Sequence, residues 1–406
     1  MKKKIPAADL KFGMYVYELD RPWVGTPFAF QRFLLTTVQE LEWLRKHCEH
    51  VYVDTGRESQ AEPAMKLQPG PGPLAAGLQG TGKVIHVERA TIEGETSRAT
   101  EAHAAANVIM QESLDALRSD KGLDSGEVQL AVGNITDSML RNPDAMVLLN
   151  ALQKRGDDYQ LGRAVNKSIY MVAFARFLGM DVDAVERAGL VGMLEDVGML
   201  KVPEELCTRS GRLTPQEFEQ VKMHVAATSE LLRGAPGLPS EVAEAAMLHH
   251  DRFDGSGYPR GLKGDALGVL GAIAGIVDVF DALTAKRPYA DPMSPSNALG
   301  YLQKVSGKAF HPALVEQFVR CIGFFPVGSV VEMNSGEIGI VISQNPAKRL
   351  QPRVMVVRDA QGQLLRPQKL LDLAKLPKMT VDEPYRIRRT LEYGRAGVSS
   401  RDVMMV

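Results

Sequence analysis

From about residue 100 to 320 the apolar residues of this chain recur every three or four positions, a spacing that confines the segment to helices with one buried face. The pattern is legible in AHAAANVIMQESLDAL, EVQLAVGNITDSML, AMVLLNALQ, AVNKSIYMVAFARFLGM and VDAVERAGLVGMLEDVGML. One helix start is explicit. Thr214, Pro215 and Glu217 supply an N-cap, a first-turn proline and the acidic partner of a capping box. They predict a helix over TPQEFEQVKMHVAATSELL, with His224 in its interior.

The flanks follow other rules. Residues 5 to 55 alternate short apolar runs with turns (GMYVYEL, FLLTT, VYVD) around a helical VQELEWLRKHC, which reads as a small α+β module. The stretch that follows is rich in Gly, Pro and Ala and reads as a flexible linker. Within it, Gly77 to Lys83 has the spacing of a phosphate-binding loop. Val84 replaces the Ser or Thr that would reach magnesium, no strand precedes it, and Pro-Gly repeats flank it, so nucleotide binding there is disfavoured. After the helical body, PVGSVVEMNSGEIGIVISQ and RVMVVRDAQGQLL read as hairpin strands with glycine turns. The expected fold is mainly α. A helical domain (residues 101–325) follows an α+β module (1–56) and a linker (57–100), and precedes a β-rich extension (326–406).

With 45% hydrophobic and 24% charged residues and a formal charge of -1, nothing draws the chain generally to nucleic acid or to an anionic membrane. An anionic ligand must be bound locally. Three cysteines, Cys48, Cys207 and Cys321, are odd in number and widely spaced, which argues against a disulfide framework. No apolar core of signal-peptide length follows the basic start, and no charge-free stretch reads as a membrane span. The expected location is cytoplasmic.

Three of the eight histidines, His224, His249 and His250, lie in the helical region near acidic residues. Imidazole and carboxylate together suit a divalent transition metal such as Fe, Mn, Ni or Co. On the residues alone the alternative stays open: His224 as a satisfied helix histidine, and the His249/His250 pair as a solvated helix end.

The string LHHDRFDGSGYPRGLKG, followed by IAGIVDVFDALTAKRPYA, resembles the HD-GYP subgroup of the HD phosphohydrolases, helical metal enzymes that hydrolyse the bacterial messenger cyclic di-GMP. VGMLKVPEELCTRSGRLTPQEFEQVKMH and AFHPALVEQFV extend the likeness over about residues 155 to 325. IPAADLKFGMYVYELDRPWVGTPFAFQ and VYVD are similar to a domain of unknown function that often precedes it. The resemblance implies a helical HD-domain bundle, with cyclic di-GMP as ligand and other signalling proteins or a second copy of the chain as candidate partners.

It also implies a ligand set. Asp196, as the bridging carboxylate and catalytic centre, His224, His249, His250 and Asp278 stand at metal-ligand positions, and Gly257, Tyr258, Pro259 and Arg287 at substrate-binding positions. Two ligands are replaced: Arg163 stands where the first histidine belongs, and Glu195 where the histidine of His-Asp belongs. Met199 replaces the lysine of the HDxGK pattern, and Ala290 another residue that is usually basic. A guanidinium only donates hydrogen bonds and cannot ligate a metal. At ~4 Å it would repel a dication by about 8 kcal/mol at an effective dielectric near 20. The expectation is that Arg163 replaces one metal among Asp196, Glu195 and Asp278, leaving at most one divalent ion held by Asp196, His224, His249 and His250.

Two functions are compatible with this. One is a receptor or interaction module of cyclic di-GMP signalling with hydrolysis impaired or lost, which explains Arg163, Glu195, Met199 and Ala290 together. The other is an active phosphodiesterase that works with one metal or recruits Glu195 as a substitute ligand. In the first case Asp254, Gly255, Gly257 and Pro259 serve as turn formers that keep the scaffold.

Overall fold

Valine alternates with polar residues in His50–Asp54, so Val51 and Val53 enter a core while their neighbours face outward. This strand, β4, is paired antiparallel with β1 (Lys2–Pro6) and β2 (Tyr15–Leu19), and β2 pairs with β3 (Phe33–Leu34). The sheet order is β1-β4-β2-β3, and helix α1 (Val38–His47) adds Leu41 and Leu44 to its core. The structure, a computed structural model, describes residues 2–11, 14–21, 33–35, 38–54, 84–153, 159–209, 211–285, 292–345 and 347–391. It divides into two units, residues 1–72 and 73–406, and the α+β module expected at the N-terminus is the first of them.

The second unit begins earlier than the sequence suggested. Helix α2 (Ile92–Arg118) starts inside the stretch read as linker to residue 100, because Thr91 accepts a hydrogen bond from Gly94 N and caps it. Glu95, in the first turn, is enclosed and paired bidentately with Arg141 at 2.8 Å for each bond. The preceding chain is docked as well, with Val84 N donating to Gly179 O and Arg89 N to Arg141 O. The phosphate-loop spacing at 77–83 lies outside the described residues.

Helices α3 (Ser125–Arg141), α4 (Pro143–Gln153), α5 (Tyr159–Leu178) and α6 (Val182–Leu194) follow, with α3 and α6 capped by Asp124 and Asp181. Then come α7 (Glu204–Thr208), α8 (Pro215–Arg233) with the expected capping box, α9 (Ser240–Ala246), α10 (Gly268–Thr284), α11 (Pro295–Lys304) and α12 (Pro312–Ile322). Phe318 of α12 meets Phe174 of α5 and Phe280 of α10 edge-on, at 5.0 and 5.2 Å between ring centres. The segment Gly264–Thr284 is long and apolar enough to cross a membrane by length and composition, but 61% of it is buried within the bundle and it carries Asp278 and Asp281. Its apolar length is accounted for by the core.

The β-rich extension is an antiparallel sheet of order β8-β7-β6-β5-β9, from β5 (Val330–Met333), β6 (Ile338–Ser343), β7 (Arg353–Arg358), β8 (Leu364–Asp372) and β9 (Ile387–Thr390). Its junction with the bundle is polar and specific. Gln344 Nε2 donates to Ile322 O and Phe325 O, and Gln344 N donates to Asp144 Oδ2.

Candidate functional site

Helices α5 and α6 approach closely at Gly192, where an added Cβ would lie 2.8 Å from the carbonyl carbon and oxygen of Lys167. The contact brings the α5 face carrying Arg163 and Lys167, one turn apart, to the C-terminal end of α6, where Glu195 and Asp196 emerge. Thr228 of α8 locks that end by donating to Glu195 O at 3.1 Å and accepting from Gly198 N at 2.9 Å. Asp278 and Asp281 arrive from α10, and His224 from α8.

His249 and His250 sit in the turn after α9. Arg252 holds this backbone from behind, donating to His249 O at 2.9 Å and Asp251 O at 3.0 Å. The Gly-Tyr-Pro loop then folds back so tightly that a Cβ on Gly257 would come within 2.4 Å of His250 O. The Tyr258 ring stacks on His250 at 4.7 Å and 29°, and Lys222 Nζ lies 5.1 Å from the Tyr258 ring centre.

The tautomers of two histidines follow from their partners. His224 Nδ1 lies 2.6 Å from Val221 O and His249 Nδ1 2.7 Å from Ala246 O, and since a carbonyl only accepts, each Nδ1 carries the proton. Both Nε2 atoms therefore turn inward. They are 3.3 Å apart, and each is 3.5 Å from Asp196 Oδ1. One ring nitrogen from each of His224, His249 and His250 falls within 4.8 Å of the other two.

The second oxygen of Asp196 meets fixed cations. Lys167 Nζ lies 2.6 Å from Asp196 Oδ2, 2.8 Å from Glu195 Oε1 and 3.7 Å from Asp278 Oδ1, with the lysine fully enclosed. Arg163 places Nη1 3.6 Å from Asp196 Oδ2, Nη2 3.1 Å from Asp278 Oδ1 and Nε 3.2 Å from Asp281 Oδ2. The arginine thus lies against Asp196, Asp278 and Asp281. The cation that meets Glu195 is Lys167, because Glu195 is buried beneath the α5–α6 crossing where the lysine inserts.

These neighbours set the charge states. Burial works against the Lys167 ammonium, but Asp196, Glu195 and Asp278 outweigh it and hold the lysine protonated above its ordinary range. Burial likewise pushes the Asp196 carboxyl up, and Lys167, a hydrogen bond from His249, and Arg163 bring it well below the usual range. For Glu195 burial wins over Lys167, and its carboxyl is pushed up to about 7. Burial lowers His224 more than Asp196 raises it. For His250 burial and the neighbouring His249 press the imidazole down to about 2, a neutral ring. His249 is raised despite its burial, by Glu195 and Asp196.

The structure brings together Arg163, Glu195, Asp196, His224, His249, His250 and Asp278 of the residues expected at the site. Gly257, Tyr258 and Pro259 form the loop above His250, while Arg287 and Ala290 lie outside the described residues. Met199 lines a cavity of about 710 Å³ that also touches Arg163, Lys167, Asp196, Arg212 and Phe218. Sequence reasoning missed Lys167 and Asp281. Lys167 gave little signal, since the polar Asn166 and Ser168 flank it just ahead of the apolar run Ile169 to Ala175.

Inward-facing imidazole nitrogens beside a carboxylate oxygen fit one divalent cation, and Asp196, His224, His249 and His250 are the residues that would hold it. A cation bound there supplies Lewis acidity toward a phosphoryl oxygen. The other carboxylates do not fit a second ion, since an ammonium and a guanidinium already lie against them.

A helical bundle that gathers histidines and an aspartate at one buried point defines the class of HD-domain proteins. Residues 151–314 match the HD domain, residues 2–128 a domain of unknown function (DUF3391), and residues 330–390 a KOW domain associated with HD domain. A cyclic di-GMP phosphodiesterase of Pseudomonas aeruginosa is 30% identical over 387 residues, which span 92% of this chain and 90% of that one. One from Thermotoga maritima is 36% identical over 147 residues (36% of this chain, 40% of the relative), and a 3'3'-cGAMP-specific phosphodiesterase of Vibrio cholerae is 34% identical over 171 (42% and 32%). The chain belongs to the HD-GYP family of HD-domain proteins.

Proposed function

We propose that this chain serves cyclic di-GMP signalling as a receptor or interaction module in which hydrolysis is impaired or lost. The observation that carries the reading is Arg163. It stands at a position the family gives to a metal-ligating histidine, and its guanidinium lies against Asp196, Asp278 and Asp281. Two-metal phosphodiester hydrolysis needs both cations to neutralise charge that builds on the phosphoryl oxygens. A guanidinium neutralises the carboxylates without offering Lewis acidity. Met199 supports the same reading, since a thioether in the cavity lining cannot hold a phosphate as a lysine would. The cavity lies within the size range of small-molecule sites.

The second reading, an active one-metal phosphodiesterase, is favoured by the histidine cluster, which retains every donor for one cation. Calorimetric titration of the full chain with cyclic di-GMP, paired with a hydrolysis assay in the presence of Mn²⁺ and of Fe²⁺, separates the two. Binding without turnover is the expected result. Turnover at rates ordinary for enzymes, about 1 per second or more, overturns the receptor reading.

A further inference from the structure

We infer that Lys167 is an internal cation that stands permanently in the place of one metal ion and organises Asp196 as a ligand for the other. The inference rests on the family's two-cation site, not on whether this chain hydrolyses anything. Three carboxylates from two elements converge on one ammonium: Asp196 and Glu195 from the end of α6, and Asp278 from α10. Such convergence on a buried point is what a metal ion ordinarily produces. The 2.6 Å contact with Asp196 is a charge-assisted hydrogen bond and the 2.8 Å contact with Glu195 an ion pair, both longer than the ~2.0–2.2 Å of a carboxylate–metal bond.

The ammonium cannot withdraw. Its side chain is 1% exposed, its backbone lies at the tight approach to Gly192, and its Nζ is held among Asp196, Glu195 and Asp278. Asp196 divides its two oxygens accordingly. Oδ2 is held by Lys167, while Oδ1 is turned to the Nε2 atoms of His224 and His249. A bridging carboxylate in a two-metal site has the same division, with one cation exchanged for a covalently tethered one. Arg163 covers the outer side of Asp278 and reaches Asp281, so Lys167 and Arg163 share the neutralisation that the fold requires.

The test uses the full chain with metal content and thermal unfolding as readouts, neither of which needs cyclic di-GMP. Lys167→Met removes the charge and keeps the volume. It should lower the unfolding midpoint of metal-free protein by about 5–10 °C, and in Arg163→Gln/Lys167→Met, which also removes the guanidinium that opposes a second ion, Mn²⁺ should restore the loss while metal content rises to nearly two per chain, with Arg163→Gln alone staying at one. Lys167→Arg should keep the parent's stability and metal count. An Arg163→Gln/Lys167→Met protein with no larger metal response than Arg163→Gln alone overturns the inference, as do two ions per chain in the parent. If Arg163→Gln/Lys167→Met does not fold without metal, it should fold when expressed with Mn²⁺, and the same variant with Glu195→Gln added should fold without it. Failure of both also overturns the inference.

Discussion

Arg163 and Lys167 stand one helical turn apart on α5 and reach the same oxygen of Asp196, the guanidinium from 3.6 Å and the ammonium from 2.6 Å. Asp196 is therefore committed to two protein cations on one side and to two imidazoles on the other. Removing any one of these partners redistributes the charge of the rest.

The first consequence concerns repair of hydrolysis. Restoring the substituted positions as Arg163→His, Glu195→His and Met199→Lys supplies the missing imidazoles and a phosphate contact but leaves the ammonium beside Asp196. The triple variant should stay slow on cyclic di-GMP, and adding Lys167→Val should raise its kcat by about tenfold or more, since a second cation can then enter. Equal activity of the triple and quadruple variants would remove Lys167 from the explanation.

A second expectation concerns the histidines. His249 turns its Nε2 into the cluster, so His249→Ala should cut the transition-metal content of purified protein to about a tenth or less, while Tyr258→Ala, which removes the ring stacked on His250, should reduce it far less. Because Glu195 and Asp196 raise His249 against its burial, a metal must displace a proton there. Metal affinity should fall as pH drops from 8 to 6, and elemental analysis after dialysis at each pH measures it.

Stability should depend on pH through Asp144. The residue keeps some exposure, but its carboxyl is enclosed at the junction with the β-rich domain, and burial pushes it up to about 7 despite the hydrogen bond from Gln344 N. A carboxyl raised above its unfolded value contributes stability that is complete below about pH 4 and is lost as pH rises through 7. The loss is roughly 4 kcal/mol for a shift of this size. Asp144→Asn should stabilise the protein at pH 8 and flatten the pH profile of chemical denaturation between pH 5 and 8. An unchanged slope would show that Asp144 is not the group responsible.

The pair Glu95–Arg141 offers a separate check on the revised boundary of the helical domain. The Glu95 side chain is fully enclosed, whereas Arg141 keeps 31% of its side-chain surface in water. Arg141→Ala leaves a buried carboxylate alone and should cost about 3 kcal/mol, while Glu95→Gln/Arg141→Ala together should cost less. Additive losses in urea denaturation would mean the two residues are not coupled.

Helical periodicity and the Thr214 cap were legible because they depend on local spacing, whereas the histidine cluster was implied by the family resemblance, the residues alone leaving a solvated helix end open. Thr91 gave an equally local signal for the start of α2, but the Gly- and Pro-rich composition before it masked that cap. The role of Lys167 was not legible. A lysine on a helix ordinarily marks the wet face, and only the closeness of α5 to α6 at Gly192 turns this one inward. Asp281 was missed for a related reason. Its partner Arg163 lies 118 residues away, and the ion pair exists only once α10 has packed into the bundle. The strand Ile387–Thr390, IRRT, carries little apolar signal and is recruited by pairing with β5.

The apolar helix α10 meets α5 through contacts, Phe280 edge-on to Tyr170 among them, that are held by non-directional burial, which by itself leaves freedom to slide. Its two carboxylates do not allow that freedom. A slip of one turn, about 5.4 Å, would carry Arg163 and Lys167 past Asp278 and Asp281 and leave buried charges of both signs without counter-ions. The cations thus act as a register mark between two greasy surfaces, selecting a single alignment of the helices that deliver the histidines and carboxylates to one point.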